Sequence, residues 1–172
     1  MQEDGNGGGE KRTILMTETE RKIGTMSAHL DRAVEEVFRT MLGVGCEPAE
    51  PHEDQGGSVS AVIGLAGSLS GSLVLQSGEA VARWMAGCMT GAEPDSVDAM
   101  VRDAVGEIAN MLAGAWKGFD PELSSDCLLS TPTVVAGTSY QLFSQRAPMR
   151  LERSYRAGER RFIVSLFCDW PV

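Results

Sequence analysis

The chain of 172 residues contains two histidines, His29 and His52. So small a supply argues against a histidine-built metal site and against nucleophilic catalysis with a histidine base. Cysteine is scarce as well. Cys46, Cys88, Cys127 and Cys168 lie far apart with no CxxC pair. That spacing suits reduced, mostly buried thiols and argues against a disulfide framework or a zinc centre, so no metal is expected. Positive charge is outnumbered, with 15 Lys and Arg against 24 Asp and Glu for a net charge of −9. Nucleic acid and anionic membrane are therefore poor partners, whereas a protein with a basic rim is permitted. No apolar run approaches the roughly 18 residues of a membrane span. No signal-peptide layout is present either, and a cytoplasmic location is expected.

Apolar residues make up 42% of the chain and charged residues 23%, the balance of a globular domain with a core of its own. Residues 1–20 open with the polar, Gly-rich run MQEDGNGGGEKR and read as a disordered tail; residues 21–172 read as one domain. The first helix is expected over Ser27–Leu42, with Ser27 as N-cap and Gly43 as stop. Pro48–Gly57 is turn-like. Ser58–Gly67 and Ser68–Gln76 read as two strands joined by a Gly-Ser turn, their small residues suggesting a sheet face closely covered by helices. Ser77 is a candidate cap for a helix to Met89, closed by Gly91. Pro94-Asp95 opens a further helix to about Lys117. A strand spans Leu128–Val135, where Pro132 implies an edge, a strand start or a bulge. Arg150–Arg156 and Arg161–Cys168 form a hairpin about Gly158. Its second arm is buried on both faces and so central, and its arginines read as solvated charges that discourage aggregation.

The helix ending near Lys117 carries the most informative pattern. Val101, Ala104, Val105, Ile108, Leu112 and Ala115 share one side of it. Asp103, Glu107, Asn110, Gly114 and Lys117 fall within about 80° on the other side of an ideal helical wheel. Gly106, Asn110 and Gly114 together lower helix propensity by roughly 2–3 kcal/mol relative to alanine. A solvated structural helix has no use for them. A helix laid close against another protein, with Glu and Asn reaching out, has. The residues by themselves also fit a plain solvated face with a packing glycine. Lys117 reads as a solvated or helix-terminal cation, and Trp84 and Trp116 as core or interface residues.

The chain also resembles itself. Ala33–Gly43 aligns without gaps to Ala104–Gly114, matching at the Ala, Val, Glu and Gly positions. Each stretch precedes a set of strands, which suggests an internal duplication. In this register Glu36 matches Glu107, but Arg39 stands where Asn110 does.

Asp103-x3-Glu107-x2-Asn110 followed by Pro132, together with DAVGEIANMLAG, VSAVIGLAGSLSGSLVL and STPTVVAG, resembles the CheX/CheC/FliY phosphatases of bacterial chemotaxis, and the CheX branch most of all. The likeness spans most of residues 27–170. It implies an α+β, CheC-like fold in which two pseudo-symmetric helix-plus-strands halves form a sheet backed by long helices. It implies a homodimer, and a single site per chain because Arg39 replaces the second carboxamide. It also implies a function: hydrolysis of the aspartyl phosphate on a receiver domain of the CheY type, in chemotaxis or another two-component pathway. In this reading Asn110 and Glu107 are catalytic: Asn110 orients the attacking water and Glu107 pairs with the receiver's active-site lysine. Asp103, Gly106 and Gly114 contact the substrate protein. The phosphatase needs no cofactor of its own; Mg²⁺ is expected on the receiver. Gly114-Ala115-Trp116 departs from the Gly-Asn-Ala-like run of many members without touching the Glu/Asn pair. The alternative is a non-catalytic receiver-binding or flagellar-switch adaptor, which could dispense with Asn110.

Overall fold

The computed structural model describes residues 17–51, 58–138, 140 and 149–169. Helix α1 (Glu18–Val37) continues into a short π-helical segment (Phe38–Leu42). Strands β1 (Glu47–Ala49), β2 (Ser58–Gly67) and β3 (Ser70–Gly78) follow, then helices α2 (Glu79–Thr90), α3 (Ala99–Gly118) and α4 (Pro121–Asp126). The chain then forms β4 (Cys127–Leu129), β5 (Thr133–Gly137), β6 (Met149–Ala157) and β7 (Arg160–Asp169). The strands form an antiparallel sheet in the order β1-β6-β7-β3-β2, with β4 and β5 both on the outer side of β2. Exchanging β1 with β5, β2 with β6 and β3 with β7 reproduces this order read backwards. That is the topological form of a two-fold, and it confirms the α+β fold of two pseudo-symmetric halves.

The helices follow the same symmetry. Shifted by the offset between Ala33 and Ala104, buried Leu30, Val34, Val37 and Phe38 of the first half fall on buried Val101, Val105, Ile108 and Ala109. Alternation places Val59, Ala61, Ile63 and Leu65 of β2 on the helix-covered face together with Leu73, Leu75, Phe162, Val164 and Leu166. Phe38 stacks on Phe162 with ring centroids 4.5 Å apart, fixing the end of α1 to the centre of the sheet. Trp116 is a core residue, and its indole N–H reaches Met26 O at 3.4 Å, joining α3 to α1.

Several expectations need correction. Helix α1 starts at Glu18, not Ser27. Thr17 caps it through a reciprocal capping box with Glu20, so Thr17–Glu20 belong to the folded helix rather than to the tail. The rest of the tail, residues 1–16, lies outside the described residues. Part of the turn-like stretch is β1, and residues 52–57 also lie outside the description. Ser77 does not cap α2: it is buried in β3, and Gly78 takes the cap position. Helix α3 opens at Asp98, whose carboxylate accepts from Val101 N at 3.0 Å, four residues later than Pro94. The strand about Pro132 is two strands, β4 and β5, with Pro132 immediately before the second. Strand β7 is central, between β6 and β3, but its second face is mixed, with Ser165 buried and Ile163 and Phe167 half-buried.

Of the arginines of the β6–β7 hairpin, Arg150, Arg156, Arg160 and Arg161 are exposed as expected, whereas Arg153 is half-buried. Arg153 forms a two-pronged ion pair with Asp31 of α1, Arg156 pairs with Glu47, and Arg160 lies over Trp84 at 4.6 Å. Gly43 and Gly91 end their helices in the left-handed conformation, as expected. Among the described residues no helix is long and apolar enough to cross a membrane.

Candidate functional site

Helix α3 is a rigid platform. Its inner side, Val101, Val105, Ile108, Ala109, Leu112, Ala113 and Trp116, is essentially inaccessible and wedged between α1, α2 and the sheet. A side chain on the outer side therefore has a backbone that cannot shift beneath it. Asp103 and Glu107 are exposed there and Asn110 is half-buried. Glu107 and Asn110 are three residues apart, neighbours on the helix surface with Cβ atoms about 5–6 Å apart. Among the described residues none of the three forms a side-chain hydrogen bond or an ion pair. A free carboxylate and a free carboxamide side by side on an immobile helix can meet an outside group without first giving up an internal partner.

The two glycines of this helix play different parts. Gly106 is buried, and a Cβ there would stand 3.2 Å from Pro132 Cβ and 3.4 Å from Val134 Cγ2. The close approach it permits is thus to its own chain: α3 settles against the start of β5. Gly114 is half-buried, and a Cβ on it would meet nothing within 4 Å. Its bare backbone borders open space and is available to a partner.

Lys117 is the helix-terminal cation that the sequence allowed, in the last turn of α3. Its ammonium donates to Ser124 O at 3.3 Å and Cys127 O at 2.7 Å, holding the end of α4 and the start of β4. Sequence reasoning missed Met100, seven residues before Glu107 and so on the same face, with 42% of its surface exposed. The spacing was a usable signal. Val134, inside the STPTVVAG stretch but not singled out there, forms with Pro132 the apolar floor of a groove beside Asp103 and Glu107.

The first half offers no second copy of this arrangement. In the register of the buried positions, Glu35, Glu36 and Arg39 occupy the places of Gly106, Glu107 and Asn110. Arg39 is ion-paired with Glu35.

A sheet of two pseudo-symmetric halves backed by paired helices is the CheC-like fold of chemotaxis proteins. Within it the chain belongs to the CheX family: the family model "Chemotaxis phosphatase CheX" matches residues 59–151, more than half of the chain. The chain is similar to the CheY-P phosphatase CheX of Thermotoga maritima, with 30% identity over 132 residues, covering 74% of this chain and 85% of the relative. Its fold is similar to the chemotaxis protein CheX from Vibrio vulnificus, at a TM-score of 0.73 and 23% identity over 84% of this chain and 96% of the other. It is also similar to a chain in the CheX-CheY-BeF3-Mg complex from Borrelia burgdorferi, at a TM-score of 0.68 and 20% identity over 83% and 97% of the two chains.

Proposed function

We propose that this chain hydrolyses the aspartyl phosphate of a phosphorylated CheY-like receiver domain, with Asn110 orienting the attacking water and Glu107 holding the receiver in place. The observation that carries the reading is the Glu107/Asn110 pair, unpartnered and outward-facing on a helix fixed by the core. Membership of the CheX family supports it, as do the names of two relatives, a CheY-P phosphatase and a partner of CheY.

An acyl phosphate is already labile, and phosphoryl transfer depends mainly on positioning and on charge stabilisation. A carboxamide offers a donor and an acceptor at fixed geometry and brings no negative charge to the phosphoryl oxygens. It cannot act as a general base, so its work is to hold water in line with phosphorus. Glu107 accepts the receiver's lysine, a charged contact that gains strength as the interface excludes water. The Mg²⁺ of the reaction travels with the receiver, and the phosphatase contributes no cofactor. Gly114 admits the receiver's backbone to the helix surface. The same reading includes a cytoplasmic homodimer. Leu128 on edge strand β4, with 68% of its surface exposed, suits such a contact, and light scattering tests for it.

The deciding experiment is phosphate release from phosphorylated receivers, with and without this protein and its Asn110→Ala variant. Wild-type protein should accelerate release, and the variant should lose on the order of 10²-fold, the usual cost of removing one preorganised polar group. No acceleration with any receiver of the organism sinks the phosphatase reading. Binding without turnover favours the adaptor.

A further inference from the structure

Beside the site helix, between α3 and the start of β5, lies an open groove of about 500 Å³ lined by Arg102, Asp103, Gly106, Glu107, Pro132 and Val134. Its floor is apolar, built where Gly106 lets Pro132 and Val134 close on the helix. Its outer rim is acidic. Asp103 and Glu107 stand one turn apart, exposed, and no cation among the described residues pairs with either. Arg102 lines the groove as well, but its guanidinium donates to Val97 O at 3.3 Å and forms an ion pair with neither carboxylate.

We infer that this groove is a docking seat for a lysine or arginine of the receiver, additional to the active-site lysine assigned to Glu107. The inference rests on the proposed receiver partnership. Long cationic side chains lay their methylene stems along apolar surface and keep the charged head at its edge. Pro132 and Val134 supply the surface, and Asp103 supplies the counter-charge. The seat is preformed, because both walls belong to packed elements, so little ordering opposes docking. Asp103 is seven residues from Asn110, about 10 Å along the helix axis. At that distance the contact governs which receiver binds and in what orientation, and leaves the hydrolytic step to Asn110.

The test uses the full chain and a fluorescently labelled, beryllofluoride-activated receiver. Its Kd is measured by anisotropy beside kcat for hydrolysis of the phosphorylated receiver at saturation. Asp103→Lys and Val134→Lys should each weaken Kd about tenfold while kcat stays within about twofold, the reverse of Asn110→Ala. Asp103→Lys is exposed and safe for folding; Val134→Lys is read only where its melting temperature matches wild type. Glu substitutions at the receiver's surface lysines and arginines should include one that restores binding to Asp103→Lys. An unchanged Kd for Asp103→Lys, or the absence of any compensating reversal, overturns the seat and leaves the phosphatase reading intact. Weakened binding without wild-type turnover keeps the seat and removes the phosphatase reading. A receiver that does not bind the wild type removes both.

Discussion

Glu35 and Arg39 are bonded to each other across one turn of α1, at the places where α3 carries Gly106 and Asn110. Both are largely exposed, so the pair itself adds little stability, about 0.3–0.5 kcal/mol for such a helix pair. Its consequence is for function. The cation that replaced the carboxamide is neutralised internally, and Glu36 has no Asn beside it. Glu36→Ala should therefore leave receiver hydrolysis unchanged, whereas Glu107→Ala should weaken receiver binding by roughly tenfold or more, a charged interface contact being worth a few kcal/mol. Parallel kinetics on the two variants would show two sites rather than one if Glu36→Ala also halved the rate per chain.

The glycines of α3 should respond oppositely to alanine. A methyl on Gly106 meets Pro132 at 3.2 Å, and overpacking of that kind outweighs the roughly 1 kcal/mol gain in helix propensity. Gly106→Ala is expected to lower stability by about 1 kcal/mol net. Gly114→Ala meets open space and should raise stability by about 1 kcal/mol, while weakening receiver binding. Urea denaturation and binding titrations on both variants measure this directly.

Asp31 on α1 accepts from Arg153 at 2.7 and 3.2 Å and from the hydroxyl of Tyr155 at 2.8 Å. This cluster holds α1 to β6. Asp31→Ala leaves a half-buried arginine and a buried phenol without their acceptor, and should cost about 2–3 kcal/mol. Chemical denaturation gives the value. A loss below 0.5 kcal/mol would mean that water replaces the carboxylate freely.

Stability should decline in alkali. Burial pushes the Cys168 thiol from its ordinary 9.0 up to about 12. Tyr155 is also raised above its ordinary 10.0, first by burial and then by the hydrogen bond to Asp31. The folded chain keeps these protons where the unfolded chain has lost them, so stability falls as pH rises. Urea midpoints should be flat up to about pH 9 and fall steadily from there toward pH 12. Tyr155→Phe, less stable throughout, should show a shallower fall.

The sequence carried the site helix well because its periodicity is local: Val101 to Leu112 mark the buried side, and Asp103, Glu107 and Asn110 follow as the remainder. The duplication was legible for the same reason, in the match of Ala33–Gly43 to Ala104–Gly114. The part played by Gly106 was not, since it depends on Pro132, which reaches the helix only once β5 has paired with β2. The capping box Thr17-x-x-Glu20 is a local signal, masked by the Gly-rich run before it. The break between β4 and β5 follows from Pro132, but no local signal says that both pieces line the same strand.

The π-helical segment at Phe38–Leu42 sets the first half apart from the second. Its wider, i→i+5 turn departs from the pitch of an α-helix, and it leaves Met41 exposed where its counterpart Leu112 is buried. Arg39 lies within that segment, just after Glu36. An Asn at residue 39 would stand on a turn of different pitch from the one that carries Asn110, and that substitution alone should not give the first half a second working site.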